Sequence, residues 1–197
     1  MVASEAVHAR MRRVWGEVSA RFAAYELVVP GSASFICQAE ACEAQCCRAF
    51  SVNLGDAEME RFGKESGKTP IEFLECEDGK PIALPLAQPY LLARAGGRCK
   101  QLGTDLACGE YAGRPNACRL YPHFVIFVDP ETARPVYAEL EGMERSFRAA
   151  LESGSAEPYA ALLLRHTDCP GFTGPAMSEP DWRRLFEATY QLQYAAG

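Results

Sequence analysis

Nine cysteines in a 197-residue chain, at positions 37, 42, 46, 47, 76, 99, 108, 118 and 169, restrict the architecture more than any other feature. Four of them fall within "FICQAEACEAQCCRAF", residues 35 to 50, where Cys46 and Cys47 are adjacent. Cys99, Cys108 and Cys118 form a second group, and Cys169 follows in "HTDCPGF". The N-terminal "MVASEAVHARMRRVWGEV" has basic residues but no apolar run behind them, so no signal peptide is read. The longest apolar stretch, "FVIFV" at 124–128, is too short for a bilayer. An odd cysteine count without an export signal argues against a disulfide framework and for thiols in a reducing cytoplasm. Clusters in that setting are metal ligands or redox centres.

The spacing names the candidates. Cys37, Cys42, Cys46, Cys47, Cys99, Cys108, Cys118 and Cys169 are the expected metal ligands. Short intervals let one loop wrap a metal, and distant ligands close the site from elsewhere in the fold. Thiolates are soft and anionic, which suits Zn²⁺ and iron–sulfur clusters. Neighbouring residues of an extended segment point to opposite sides. On that basis Cys46 and Cys47 would serve different ions, or different corners of a polynuclear centre, or one of them would pack. Eight thiolates suffice for two four-ligand sites, or for one cluster with four thiols to spare. Arg48, Arg98, Lys100, Arg114 and Arg119 stand near cysteines in sequence, where cations favour thiolates. Glycines and prolines in "GGRC", "ACGE", "AGRPNAC" and "CPGF" allow the tight turns that metal loops use.

Other residues are read more plainly. Cys76, in "FLECEDG", is a free thiol. His123 and His166 lie near Cys118 and Cys169, and imidazole is an alternative zinc ligand. Eight cysteines already fill those positions, so His123 is read as opening a hairpin and His166 as capping a helix end. Tyr111 and Tyr121 are read as loop-packing rings rather than donors to a cluster, and Arg114 as a tie within its loop rather than an anion site.

Composition adds two exclusions. With 48% hydrophobic and 23% charged residues, the chain has an ordinary globular balance, so the cysteines need not replace a core. A net charge of −6 argues against binding a nucleic-acid backbone. No G-x-x-x-x-G-K-[ST], G-x-G-x-x-G or G-x-S-x-G stretch occurs, so no nucleotide pocket or serine nucleophile is read.

The periodicities predict an α+β fold. We read a single compact domain with cysteine-rich metal-binding loops, a β-hairpin and flanking N- and C-terminal helices. Val7, Met11, Val14, Val18, Phe22 and Tyr25 predict one helix from about residue 4 to 28, ended by Pro30 and Gly31. "FSVNL" at 50–54 predicts a short strand, and Asp56 a helix start ahead of Met59 and Phe62. Thr69, Pro70 and Glu72 form a capping-box signature. "KPIALPLAQPYLL" has three prolines and is read as extended. "HFVIFVDPETARPVYAEL", residues 123–140, predicts a β-hairpin. "ERSFRAALES" and "PYAALLLRH" predict helices ending near Gly154 and Thr167. Ser178 and Asp181 cap a C-terminal helix at about 179–195, with Trp182, Leu185, Phe186, Thr189 and Tyr190 inward. The cysteine-cluster core, 35–172, is expected to hold its thiols in loops.

"FIC…C…CC", "GGRCKQL…ACGEYAGRPNACRLYPHF" and "DCPGF" resemble the YkgJ-type cysteine-cluster family, also called the CxxCxxCC or zinc- or iron-chelating domain. The likeness runs from Phe35 to about Phe172, and its most specific piece is Cys108, Tyr111, Arg114, Pro115, Cys118, Tyr121 and Pro122. The first cysteine loop departs from the family pattern, which has tighter intervals. The resemblance implies a cytosolic bacterial protein that binds iron, as a cluster, or zinc. The chain also resembles the cysteine-rich part of flagellin lysine N-methylases. Three functions are therefore expected to compete. The first is an iron–sulfur protein, most simply 4Fe-4S, in redox, sensing or metal handling. The second is a structural zinc protein with a partner-binding surface. The third is a metal-dependent redox or transfer enzyme. No nucleic-acid or membrane partner is expected, and the oligomeric state is left open.

Overall fold

The computed structural model describes residues 2–136, 140–152 and 158–195. In chain order the first half holds α1 (Val2–Val18), β1 (Tyr25–Leu27), α2 (Gln45–Ala49), β2 (Asn53–Leu54), α3 (Asp56–Ser66), α4 (Pro70–Phe73), β3 (Cys76–Glu77) and β4 (Lys80–Pro81). There follow β5 (Tyr90–Leu91), β6 (Arg94–Ala95), β7 (Arg98–Cys99), α5 (Asn116–Leu120), β8 (His123–Asp129), β9 (Arg134–Val136), α6 (Leu140–Glu152), β10 (Ala160–His166) and α7 (Glu179–Tyr190). The fold class is α+β, as expected. The chain divides into two compact units, Met1–Ile36 with Pro122–Ala196, and Cys37–Tyr121.

The first unit is built on a four-stranded antiparallel sheet of order β1-β10-β8-β9. Its middle is β10, where Ala160, Ala161, Leu162, Leu163 and Leu164 are all buried. Each fully buried leucine contributes about 1.5–3 kcal/mol of transfer free energy. This segment was expected to be helical. A short, uninterrupted apolar run fits a strand covered on both faces equally well, and pairing with β8 and β1 decides the matter. His166 accordingly closes a strand, opposite Tyr25, and caps no helix.

The N-terminal helix is shorter than the periodicity predicts. Met11, Val14 and Val18 are buried on it, but a single 3₁₀ turn at Ser19–Arg21 ends the helical segment. Phe22 lies beyond it, and Tyr25 begins β1 instead of continuing the helical stripe. The side chain of Val7 lies outside the described residues. On α7, Ser178 Oγ accepts the backbone N–H of Asp181 at 3.3 Å, the expected cap. The buried Trp182 indole donates to Val28 O at 2.9 Å, so its one polar atom is satisfied. A side-chain amide completes one strand edge: Gln193 accepts from Val125 N at 2.8 Å and donates to Val125 O at 2.9 Å. The hairpin β8–β9 forms as predicted through Val136, while residues 137–139 and 153–157, Gly154 among them, lie outside the described residues.

The second unit has little regular structure. Leu54, Phe62, Phe73, Leu74 and Leu92 form its buried apolar cluster. Around it stand three two-residue ladders, β2–β5, β3–β4 and β6–β7. The capping box at α4 is real: Thr69 N donates to Glu72 Oε2 at 2.7 Å. Gly55 occupies the cap before α3, and Asp56 is its first helical residue. A cluster of five, with Ala44, Ala93 and Leu102 buried outside it, is a thin core for a segment running from Cys37 to Tyr121. Units with so little apolar burial need a further cross-link.

Candidate metal centre

The cysteines do not all lie in loops. Cys46 and Cys47 lie on α2, Cys99 on β7 and Cys118 on α5. The chain reaches α2 through an unusual backbone: Glu43 and Ala44 both have positive φ, 51° and 54°. Neither is glycine, and a left-handed L-residue costs about 1–2 kcal/mol. Cys47 N donates to Ala44 O at 2.9 Å, which closes the first turn on that reversal. The helical turn then places Cys46 Sγ 4.0 Å from Cys47 Sγ. The expectation that the pair diverges assumed an extended segment, and a helix rotates neighbours by only about 100°.

Cys99 and Cys108 come from a separate segment of the chain. Gly103 N donates to Ala107 O and Gly109 N to Gln101 O, both at 2.8 Å, which folds residues 101–109 back on themselves. A Cβ on Gly103 would stand 2.5 Å from Asp105 Oδ1, so a larger residue there would displace that side chain. Lys68 pins the loop from outside, donating to Gln101 Oε1 at 2.8 Å and pairing with Glu110 at 2.7 Å. Gln101 N donates to Cys99 Sγ at 3.4 Å, an amide directed at sulfur.

Cys118 is delivered by α5, whose first residue is held from α3. Glu58 Oε1 accepts Asn116 N at 2.6 Å, and Arg61 Nη2 donates to Arg114 O and Asn116 Oδ1, each at 3.1 Å. Sequence reasoning singled out neither Glu58 nor Arg61. The one available signal was a charged pair on a helix facing a cysteine loop, which is not specific.

The electrostatics tie five thiols together. Cys47 is raised from its ordinary pKa, first by its hydrogen bond to Cys46, then by burial and by the charges of Cys46, Cys99 and Cys118. Cys118 is pushed up to about 12 by burial first, then by Cys99, Cys108 and Cys46. Cys99 is raised mainly by burial, with the Gln101 amide and Arg94 pulling the other way. Cys46 is lowered to about 6, chiefly because the Cys47 thiol donates to it, with Arg114 assisting. Cys46 apart, these thiols oppose one another's ionisation without a cation between them, and a bound divalent ion reverses that relation. The donor set fits a thiophilic metal, since its members are sulfur only. Among the described residues, no group of three or more His, Cys, Asp or Glu side chains stands in a ready metal-binding arrangement.

The remaining candidates lie apart from this group of five or in the other unit. Cys37 is exposed, and Cys42 Sγ faces its own loop at Gln38 O, 3.6 Å, and Ala39 O, 3.8 Å. Cys169 belongs to the first unit, where its N–H donates to His166 O at 3.3 Å. His123, also in that unit, is buried, opens β8 and contacts the rings of Phe35 and Phe172. Cys76 faces Ile71 O and Leu74 O on β3. Arg114 stacks on Tyr111, 3.6 Å from the ring centroid, and donates to that residue's carbonyl at 3.3 Å. Tyr121 packs on Phe50 at 5.4 Å.

The α+β chain carries the interacting cysteines on two helices, a strand and a loop. The chain is a member of the CxxCxxCC family, "Putative zinc- or iron-chelating domain", whose family model matches residues 36–146. The match takes in all the cysteines except Cys169. Searches of curated proteins and of solved structures found no match. Among the described residues no helix is long and apolar enough to cross a membrane.

Proposed function

We propose that the protein holds a four-coordinate zinc or iron ion through cysteine thiolates, and that the ion completes the fold of the unit from Cys37 to Tyr121. One observation carries this reading: Cys46 and Cys47 present their sulfurs 4.0 Å apart, within electrostatic reach of Cys99 and Cys118. Four sulfurs placed tetrahedrally about 2.3 Å from one zinc ion stand about 3.8 Å from each other. Cys46 and Cys47 are thus spaced as two ligands of one ion. Drawing further thiolates inward is the folding step that the ion drives, in keeping with the thin apolar cluster of this unit. Cys37 and Cys42, on the preceding loop, are the reserve of the proposed ligand set. The role is structural, with a partner-binding surface as its output, and the compartment is a reducing cytoplasm.

A second reading is an iron–sulfur cluster, of the 4Fe-4S type, serving redox or sensing. It is supported by the sulfur-only donor set, since such a cluster takes four cysteine thiolates and five thiols interact here. Anaerobic purification followed by measurement of iron, zinc and acid-labile sulfide separates the two. Colourless protein with stoichiometric zinc, or iron without sulfide, supports the first reading. Brown protein containing sulfide supports the second, and metal-free protein that refuses both ions defeats each of them.

A further inference from the structure

Arg94 occupies a position that its sequence context does not advertise. It lies on β6, directly opposite Cys99 on β7. Facing residues of an antiparallel pair share one side of the ladder. Its guanidinium reaches three backbone carbonyls drawn from two separate segments. Nη1 donates to Phe50 O, and Nη2 donates to Arg48 O at 2.5 Å and to Gly97 O at 2.6 Å. Arg48 is in α2, Phe50 follows it, and Gly97 is in the turn between β6 and β7. The last carbonyls of a helix lack partners within that helix, so an external donor there fixes the helix end. The Arg94 backbone is held in turn, with its N–H donating to Glu75 Oε1 at 2.7 Å.

We propose that Arg94 is a positioning residue for the thiolate centre, clamping the helix that carries Cys46 and Cys47 to the hairpin that carries Cys99. Its effect on metal rests on the thiolate-metal reading above, whereas the clamp itself stands on these hydrogen bonds. The three carbonyls are held from two nitrogens at a fixed spacing in one plane, and the single nitrogen of a lysine on its flexible stem does not reproduce that geometry. The guanidinium also brings positive charge to a centre in which thiolates outnumber the charge of a divalent ion.

The test uses the full chain as wild type, Arg94→Ala and Arg94→Lys, loaded anaerobically with Co²⁺. Chelator competition gives affinity, and the thiolate-to-cobalt and d–d absorption bands report ligand geometry. In parallel, metal-free protein is alkylated and the rates at Cys46, Cys47 and Cys99 are followed by mass spectrometry. Both variants are expected to bind Co²⁺ about 10–100-fold more weakly, the usual cost of losing an outer-shell partner. Both are also expected to show altered d–d bands and faster alkylation at those three cysteines. A lysine variant with wild-type affinity and spectrum overturns the clamp, because charge alone would then suffice. Should Arg94→Ala lose its far-ultraviolet circular dichroism, the lysine variant, which keeps the stem, decides. A wild type without thiolate bands defeats the metal reading separately. The alkylation rates then rule on the clamp, with equal rates in all three proteins overturning it.

Discussion

Glu58 and Asn116 meet across 58 positions of sequence: the carboxylate of α3 accepts the first N–H of α5 at 2.6 Å. The same carboxylate accepts Gly55 N at 3.3 Å through its second oxygen, so one buried group serves the starts of two helices. Glu58→Ala leaves Asn116 N–H without its acceptor two residues before Cys118. We expect a loss of about 2–3 kcal/mol in urea unfolding of the metal-free protein, a cost typical of stranding buried polar groups. Glu58→Gln, which keeps an acceptor oxygen, should lose less. An unchanged unfolding midpoint in Glu58→Ala would contradict this role.

Ligand assignments are separable by substitution. Cys46→Ser and Cys118→Ser remove members of the interacting group and should lower the metal content of protein purified from cells. Cys76→Ser should leave it unchanged, because that thiol faces only the carbonyls of Ile71 and Leu74 at 3.8 and 3.5 Å. Elemental analysis of the variants checks both statements, and metal loss in Cys76→Ser would show the set to be misassigned.

The thiols should titrate far apart in the metal-free protein. Cys46, lowered to about 6, is ionised as pH rises through that value, so its alkylation should accelerate there and level off by neutrality. Cys118, pushed up to about 12, should react slowly throughout that range. Site-resolved alkylation against pH tests the order. A Cys46 rate still climbing at about pH 8.5, the value of a free cysteine, would refute it.

His123 ties acid stability to the first unit. Burial, with Arg165 nearby, lowers its pKa from 6.5 to about 4. The folded state therefore holds the ring neutral while the unfolded chain protonates it. Stability is intact above about pH 6.5, falls as pH drops from there to about 4, and loses about 3 kcal/mol once below both values. His123→Phe should flatten the unfolding free energy across that window. Wild type and variant with parallel slopes there would exclude His123 as the cause.

What the sequence disclosed was local. The capping box at Thr69, the Ser178 cap and the hairpin from His123 to Val136 each depend on residues close together in the chain, and each is present. The cysteine groups were legible for the same reason. The α2 turn was not, because its entry uses left-handed Glu43 and Ala44, which carry no turn signature. The leucines of β10 favour helices by propensity, and only pairing with β1 and β8 makes them a strand. Phe22 and Tyr25 continued a helical spacing past the helix end by coincidence. Glu58 and Arg94 were invisible because their partners lie 58 and 44 positions away.

The sheet order bears on synthesis. β10 stands between β1 and β8, so β1 waits for its strand partner until more than a hundred further residues have been made. Domains generally fold as units while the chain emerges from its N-terminus. The segment from Cys37 to Tyr121 is complete, with all its thiols and the Arg94 bonds, before the sheet's central strand exists. Chain growth therefore completes the sulfur-bearing segment while the four-stranded sheet still waits for its later strands.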